Sequence, residues 1–425
     1  ARAVELMHEA GVPRTALQLL PGAGAEIGAA LTSATPVSGV AFTGSTATAQ
    51  AIHCSMAEHL DPHASLIAET GGINGMIVDS TALPEQAVRD IIASAFQSAG
   101  QRCSALRLLY LQEDVADGFL KMLFGAMDEL RIGDPWHNAT DIGPVIDSRA
   151  RDSIRAYIEA ARAEGRVMHE LRAPEHGHFV APTVLRVSGM ADLEREVFGP
   201  VLHVATYRAE ELDAVIDAVN ASGYGLTFGL HSRIDARVEE VQQAVRAGNI
   251  YVNRNQIGAV VGSQPFGGEG LSGTGPKAGG PAYVPRFCRP AAGEAVAAEG
   301  PRVAPDDLAR RLAALKTPHA PLPAVSLPGP TGESNRYAIA PRGVILCLGP
   351  GREAALDQAA QARAAACAAL AVAPGVPGDE GLGGTLDAGV LADLEGFDAV
   401  AFWGDADAAR KLRQALARRD GPILP

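Results

Sequence analysis

The chain has 425 residues, 47% of them hydrophobic and 20% charged, with 47 glycines, 28 prolines and a formal charge of −13 at pH 7. That length exceeds what one hydrophobic core serves, so two or three domains are expected, and the glycine and proline content suits an α/β chain with many tight turns. The acidic balance argues against a nucleic-acid partner, which needs a basic face.

Residues 1 to 10 have the spacing of an amphipathic helix already under way at Ala1, with no initiating Met, so the stretch reads as part of a longer protein. Gly11-Val12-Pro13 stops it before Ala16-Leu17-Gln18-Leu19-Leu20, an apolar segment of strand length. Pro21-Gly22-Ala23-Gly24-Ala25-Glu26-Ile27-Gly28 then leads into an alanine-rich helical stretch to Ser33. Strand, glycine turn and helix aim backbone N–H groups at a phosphate, which makes Gly24 a candidate cofactor residue. The spacing is GxGxxxG rather than GxGxxG, and most glycine loops after strands are only turns.

A second unit of the same type follows, with Val40-Ala41-Phe42 as a buried strand, Thr43-Gly44-Ser45-Thr46 as the turn and Ala47 to Glu58 as the helix. Ser45 and Thr46 are helix N-caps on one reading and neighbours of a pyrophosphate on the other. A third strand, Ala64 to Ala68, ends at Glu69, and units repeated at this spacing imply a parallel, doubly wound sheet. The helix from Pro84 to Gln97 carries the chain to Gly100-Gln101-Arg102-Cys103-Ser104, and Leu106 to Gln112 reads as a strand. Further units include the helix Arg149 to Glu164 and the strand Val201 to Tyr207.

From about Arg289 to Leu327 proline and alanine dominate, as in a linker, although Pro305 to Leu315 has helix spacing. Beyond it, Gly343 to Gly349 and Ala399 to Asp405 read as strands running into helices. Val400-Ala401-Phe402-Trp403-Gly404-Asp405 repeats Val40-Ala41-Phe42-Thr43-Gly44-Ser45 as V-A-F-x-G, with Asp405 where Ser45 stands. A carboxylate at a pyrophosphate position repels it, so the tail is expected to copy the fold without the cofactor.

Cys103 and Glu69 carry the chemistry. A lone free cysteine is most often a small buried hydrophobe. Beside a base, its thiolate attacks a carbonyl; with an ordinary pKa near ~8.5 only a few per cent is ionised at neutral pH, so the site must help. Gly100 lets backbone N–H groups face the sulfur and the developing oxyanion. Glu69 is then placed to activate the water that releases the acyl group, provided burial raises its pKa toward neutrality. Five scattered cysteines without a CxxC or Cys/His cluster suggest neither a disulfide framework nor a metal site, and fit a reducing, cytoplasmic setting. No apolar run reaches the roughly 20 residues of a membrane span, and no signal-peptide pattern is present in the sequence given.

Phe42-Thr43-Gly44-Ser45-Thr46, Glu69-Thr70-Gly71-Gly72, Gly100-Gln101-Arg102-Cys103, Glu196-Val197-Phe198-Gly199-Pro200 and Pro265-Phe266-Gly267-Gly268, in that order, resemble the aldehyde dehydrogenase superfamily. The resemblance implies Cys103 as nucleophile and Glu69 as base, with Thr43, Gly44 and Ser45 at the cofactor. Glu196 would hold the nicotinamide ribose of NAD, with Phe198 beside the ring. Gly258-Ala259 seven residues before Phe266, Ser104 after the nucleophile, and Gly273-Thr274-Gly275-Pro276-Lys277-Ala278-Gly279-Gly280-Pro281 are similar to the glutamate semialdehyde (pyrroline-5-carboxylate) dehydrogenases. The last phrase, and Leu327-Pro328-Gly329-Pro330-Thr331-Gly332-Glu333-Ser334-Asn335, most resemble the bifunctional proline utilization A flavoenzymes. In those enzymes the N–H groups at Gly258 and Ala259 and the Ser104 hydroxyl would hold the substrate carboxylate, with Phe266 beside it.

The fold class implied is α/β: Rossmann-like NAD-binding and catalytic domains of aldehyde dehydrogenase type, plus a smaller C-terminal Rossmann-like domain. The expected divisions are 1–72 (NAD-binding, C-terminal half only), 73–272 (catalytic), 273–325 (tail and linker) and 326–425 (C-terminal, without a cofactor site). The implied activity is NAD-dependent oxidation of glutamate semialdehyde to glutamate, in a homo-oligomeric cytoplasmic protein, peripheral at the inner membrane at most. FAD belongs only to a proline dehydrogenase domain expected before Ala1. Ile73 departs from the usual polar residue, and the family's oxyanion asparagine, cofactor-touching lysine and first Rossmann strands do not precede Ala1, so this stretch alone is expected to be inactive. A second reading makes the tail from about residue 326 a non-catalytic scaffold for assembly or channelling. A third keeps the chemistry with another aldehyde, against which the donors at Gly258-Ala259 argue.

Overall fold

Asn74–Val78 and Leu106–Gln112 are buried along their whole length, as strands covered on both faces must be, and they form the middle of a seven-stranded sheet. Its order is Asn249–Val252, Thr227–His231, Asn74–Val78, Leu106–Gln112, Val201–Tyr207, Thr183–Arg186 and Val167–Glu170. All neighbours run parallel except the last pair, which is antiparallel. This computed structural model describes residues 1–288, 295, 299–317 and 324–424.

The period of two along the strands divides the core. Met76, Val78, Leu109 and Leu111 face a layer built with the helices Pro84–Phe96, Glu113–Asp128 and Ser148–Ala163, through Ile91, Phe119, Leu123, Ile154 and Ile158. Ile77, Leu108 and Tyr110 face the other way, onto Val215, Ile216 and Val219 of the helix Leu212–Ala221 and Val241 of Asp235–Ala244. Ile73, the residue that departs from the family's usual polar one, is a core residue on this second side.

A separate two-stranded parallel sheet joins Gly39–Thr43 to Ser65–Glu69, with the helix Thr46–His59 crossing between them. The strand expected at Ala16 to Leu20 does not form: the segment passes from a turn into irregular chain, and Leu19 and Leu20 are 47% and 55% exposed. The glycine turn after it is a π-helical turn, Gly24–Gly28, that runs directly into Ala29–Thr32. A five-residue apolar run has no strand geometry of its own; it needs a neighbouring ladder, and the only two strands of this sheet pair with each other. Gly24 is therefore not the turn of a strand–glycine–helix unit, as the spacing predicted.

The C-terminal region holds a four-stranded parallel sheet in the order Gly381–Leu382, Ala368–Val372, Val344–Cys347, Ala399–Ala401. Its core includes Leu346, Leu370 and Leu391, and also Leu308 and Leu312, which are 0% and 2% exposed. The latter belong to the helix Pro305–Ala313, inside the stretch read as linker. Proline at the first turn, two aspartates there, two arginines in the last turn and leucines four apart give this helix its ends and its buried stripe. Conversely the hairpin Val325–Leu327/Asn335–Tyr337, where the C-terminal domain was expected to begin, hydrogen-bonds outward: Arg336 Nη2 donates to Gln242 Oε1 at 2.7 Å.

The V-A-F-x-G repeat is a structural repeat. A Cβ on Gly44 would lie 2.4 Å from Phe42 Cζ, and one on Gly404 2.3 Å from Phe402 Cζ, so both turns fold a phenylalanine ring against a bare glycine. Ser45 caps Thr46–His59 by accepting from Thr48 N at 3.2 Å, and Asp405 caps Ala406–Ala417 by accepting from Asp407 N and Ala408 N at 3.0 and 2.9 Å. These two helices lie together, with Cys54 Sγ donating to Ala417 O, Gln50 Nε2 to Gly421 O at 2.8 Å and Arg410 Nη1 to Leu60 O at 2.8 Å. No helix among the described residues is long and apolar enough to cross a membrane.

Truncating Leu308 to alanine should cost the C-terminal unit about 2–4 kcal/mol, read as an earlier unfolding transition in urea; an unchanged transition would show that this helix adds nothing to the core.

Candidate active site

Three consecutive residues after the helix Pro84–Phe96 are left-handed: Ser98 (φ 57°), Ala99 (φ 54°) and Gly100 (φ 66°). Side chains disfavour this region, at a cost on the order of 1 kcal/mol each, so the surroundings must hold the turn. Gly100 is required twice over, by its φ and because a Cβ there would fall 2.1 Å from Gly199 O. The turn delivers Cys103 to the end of the central strand, where Asn74 Nδ2 donates to Cys103 O at 2.7 Å and to Ala105 O at 2.9 Å. Asn74 Oδ1 in turn accepts from Thr227 N at 3.1 Å, which pins the cysteine backbone across three strands.

Glu69 closes the strand Ser65–Glu69, and both of its carboxylate oxygens are buried without a formed hydrogen bond. Burial raises its pKa to about 7, against a smaller opposite pull from the Gly268 N–H and Lys277. The Cys103 thiol is also held above its usual range, first by burial and then by the negative charges of Glu196 and Glu69, while the Ser104 N–H opposes them. Near neutrality the pair therefore rests as a thiol beside a carboxylate that is half ready to take a proton.

The motifs interlock through bare glycines. A Cβ on Gly71 would lie 1.8 Å from Glu196 Oε2, and one on Gly267 3.1 Å from both Glu69 Oε1 and Lys277 Cα. Between Glu196 and the cysteine turn stands Arg107, 1% exposed at its side chain. It pairs with Glu196 Oε1 at 2.9 Å and donates to Gly100 O at 2.7 Å, Gly199 O at 3.2 Å and Arg102 O at 3.1 Å. Its Cζ also lies 5.4 Å from the Phe198 ring centroid, while that ring is 46% exposed.

Arg107, Asn74 and Lys277 were not among the residues expected from the sequence. The signal for Arg107 was a charge inside the otherwise apolar strand Leu106–Gln112, which a buried strand tolerates only when the charge is paired. Lys277 stood in a quoted motif without a role; it donates to Gly248 O and to Asn249 Oδ1, and burial lowers its pKa to about 8.

The other expected residues are spread around this centre. Gly44 N donates to Glu69 O at 3.1 Å, so the Thr43-Gly44-Ser45 turn adjoins the strand that ends in the base. Ser104 is buried, and its carbonyl accepts from Thr227 Oγ1 at 3.2 Å. Gly258 has φ +72° and is exposed, with Arg102 Nη1 4.0 Å from where its Cβ would be; neither its N–H nor that of Ala259 has an acceptor among the described residues. Phe266 exchanges backbone hydrogen bonds with Ala278, next to Lys277. A Cβ on Gly24 would meet nothing within 4 Å.

The sequence profile of the aldehyde dehydrogenase family matches residues 1–292. The chain belongs to that family. It is similar to the bifunctional protein PutA of Klebsiella aerogenes, at 45% identity over all of this chain and 36% of the relative, so it spans about a third of the length of that protein. It is also similar to a 1-pyrroline-5-carboxylate dehydrogenase of Geobacillus sp. (strain WCH70), at 39% identity over 66% of this chain and 55% of the relative. Among solved structures, one of bifunctional proline utilization A is 56% identical, covering 67% of this chain and 29% of the other with a TM-score of 0.66. A 1-pyrroline-5-carboxylate dehydrogenase from Thermus with bound NAD is 34% identical, covering 67% of this chain and 56% of the other with a TM-score of 0.63. The family membership and these neighbours make the α/β architecture that of an aldehyde dehydrogenase.

Two predictions follow from the buried charges. Arg107→Met should cost about 3–5 kcal/mol by stranding the Glu196 carboxylate, and Arg107→Met with Glu196→Gln should recover a large part of it in urea denaturation; additive losses would mean the two side chains are uncoupled. For Glu69 the folded pKa of about 7 lies above the unfolded value of 4.5, so the penalty is absent at low pH, grows as pH rises through that window and is complete above it. Glu69→Gln should therefore stabilise the protein by roughly 2–3 kcal/mol at pH 8 and by nothing near pH 4.5, as read from Tm at the two pH values.

Proposed function

We propose that this chain forms the aldehyde-oxidising site of a bifunctional proline-catabolic enzyme and converts L-glutamate γ-semialdehyde to L-glutamate with NAD. The observation that carries the reading is the buried Glu69 carboxylate, with its pKa near 7, electrostatically coupled to Cys103, which the left-handed turn 98–100 delivers. The PutA and 1-pyrroline-5-carboxylate dehydrogenase relatives support the substrate.

In this mechanism Glu69, or a water it holds, takes the Cys103 proton, and the sulfur attacks the aldehyde carbon to form a C–S bond and an oxyanion. The backbone N–H groups of the 100–104 turn face that oxygen. A bound NAD would supply the hydride acceptor that lets the Cys103 adduct collapse to a thioester. Glu69, once it has passed the thiol proton on to solvent, removes a proton from water, the hydroxide adds to the thioester carbon, and the Cys103 thiolate leaves as glutamate is released. A base with a pKa near 7 suits both proton transfers at neutral pH.

The residues present fit the nicotinamide end of NAD. Phe198 offers a half-exposed apolar ring, and Glu196 beside it is a carboxylate held in one orientation by Arg107 and the Gly72 N–H, an acceptor placed for ribose hydroxyls. Thr43, Gly44 and Ser45 would take the pyrophosphate side. In the C-terminal sheet the corresponding turn has Asp405 at its helix N-terminus, and the turn after Val344–Cys347 is filled by the chain itself, since Gln358 donates to Gly349 O and accepts from Gly349 N. We therefore read that sheet as a copy of the fold without a cofactor.

The substrate carboxylate would be held by the N–H groups at Gly258 and Ala259 and the Ser104 hydroxyl, with Phe266 alongside. The proposed divisions are the two-stranded unit to about residue 72, the catalytic sheet to about 272, and a C-terminal unit whose core begins near residue 303, earlier than 326. A flavin-dependent proline dehydrogenase domain elsewhere in the same polypeptide, a homo-oligomer and a cytoplasmic location complete the reading; relatives about three times the length of this chain support the further domain.

Cys103→Ala in the full-length protein should abolish NADH formation from glutamate semialdehyde, by 10³-fold or more, while leaving the dissociation constant of NAD within about twofold. A variant that still turned over aldehyde at the normal rate would refute the assignment of the nucleophile.

A further inference from the structure

The loop that carries Gly258 and Ala259 has little support of its own. Gly258, Val260, Val261 and Gly262 are exposed, Val261 at 92%, and the loop's internal hydrogen bonds converge on Val260, whose carbonyl accepts from Ser263 N and Gln264 N. The Gln264 side chain closes the turn by accepting from Val260 N at 3.2 Å through Oε1. Such a segment belongs to the low-stability end of a structure unless something outside it fixes its ends.

At its start the loop is anchored by the buried Gln256, whose N–H donates to Ser94 Oγ at 3.1 Å; the support that reaches both of its ends is one carboxylate from the hairpin near residue 330. Glu333 Oε2 pairs with Arg254 Nη1 at 2.8 Å, at the start of the loop. Glu333 Oε1 accepts from Gln264 Nε2 at 3.0 Å, at the end of the loop, and from Asn335 Nδ2 at 3.0 Å. Asn335 Oδ1 accepts a second bond from Gln264 Nε2 at 3.2 Å. Arg254 is steadied in turn by the Tyr251 ring, 5.3 Å from its Cζ. One acidic side chain thus staples both ends of the loop, and it lies in Pro328 to Asn335, outside the large sheet and some seventy residues along the chain from the loop it holds.

We infer that Glu333 is a positioning residue for substrate selectivity: it holds the 255–263 loop in the shape that presents the Gly258 and Ala259 N–H groups to a substrate carboxylate. This rests on the reading of that loop given under Proposed function. Glu333 does not itself meet the substrate, because its charge would repel a carboxylate; Arg254 neutralises it, and its effect passes through the loop. Aldehydes without a carboxylate do not use the loop donors, so their oxidation at Cys103 is independent of Glu333. The C-terminal region is thereby tied to substrate choice rather than to the chemistry of the thiol.

The test uses the full-length protein and compares glutamate semialdehyde with pentanal, an uncharged aldehyde of the same chain length. Glu333→Ala should raise KM for glutamate semialdehyde at least tenfold with kcat within twofold, and leave kcat/KM for pentanal within twofold. Gln264→Met, which cuts the same network from the loop side, should give the same signature. Equal losses on both substrates would show a merely structural role, and wild-type selectivity in either variant, or a lower KM for glutamate semialdehyde in Glu333→Ala, would overturn the inference. The wild-type protein separates the two levels: no preference for glutamate semialdehyde over pentanal would sink the loop reading and this inference with it, whereas a preference that survives in both variants sinks this inference alone.

Discussion

The ion pair between Arg107 and Glu196 is the constraint on which the rest of the site depends. Arg107 stands on a strand buried along its length, so its charge is sustained only by the Glu196 carboxylate and the carbonyls of Gly100, Arg102 and Gly199. Those partners come from two loops far apart in sequence. Their convergence on one guanidinium fixes the cysteine turn against the 196–200 turn, and it leaves room only for glycine at 71 and 100. Three of the motifs visible in the sequence are thus parts of one packing problem.

The electrostatics of the pair Cys103 and Glu69 show what that rigidity does. Both groups are driven toward their neutral forms by burial, and each negative neighbour pushes the thiol further. An isolated thiol in such a place would be inert. What makes the arrangement reactive on our reading is that the base is equally desolvated, so its pKa rises to where it can exchange a proton at neutral pH. The cost is a buried carboxylate that the Gly268 N–H and Lys277 offset only in part, a local instability of the kind found where a site is built for reaction rather than for stability.

The C-terminal region has two separable relations to the rest. Its sheet repeats the phenylalanine-on-glycine turn and the capped helix of the first sheet, and the two helices pack side by side. Its cap, however, is a carboxylate, and its first turn is occupied by Gln358. The hairpin near residue 330 turns instead toward Arg254 and Gln264, and through them toward the loop on which we place the substrate carboxylate.

The sequence by itself determined the helices with clear ends, the strands Leu106–Gln112 and Val201–Tyr207 of the catalytic sheet and the glycine motifs, because these depend on period, capping residues and turn chemistry that are local. It also named Cys103 and Glu69, through the company they keep. It misjudged Ala16 to Leu20, where apolar length suggested a strand but the described residues offer no neighbouring ladder, and it saw the helix spacing of Pro305 to Leu315 without the core that Leu308 and Leu312 enter. Only the tertiary structure decided that Arg107, Asn74 and Lys277 belong to the site and that Glu333 staples a distant loop. Each of those roles is a long-range contact between charges or amides, and a buried charge shows in a sequence as an anomaly whose partner is not named until the chain has folded.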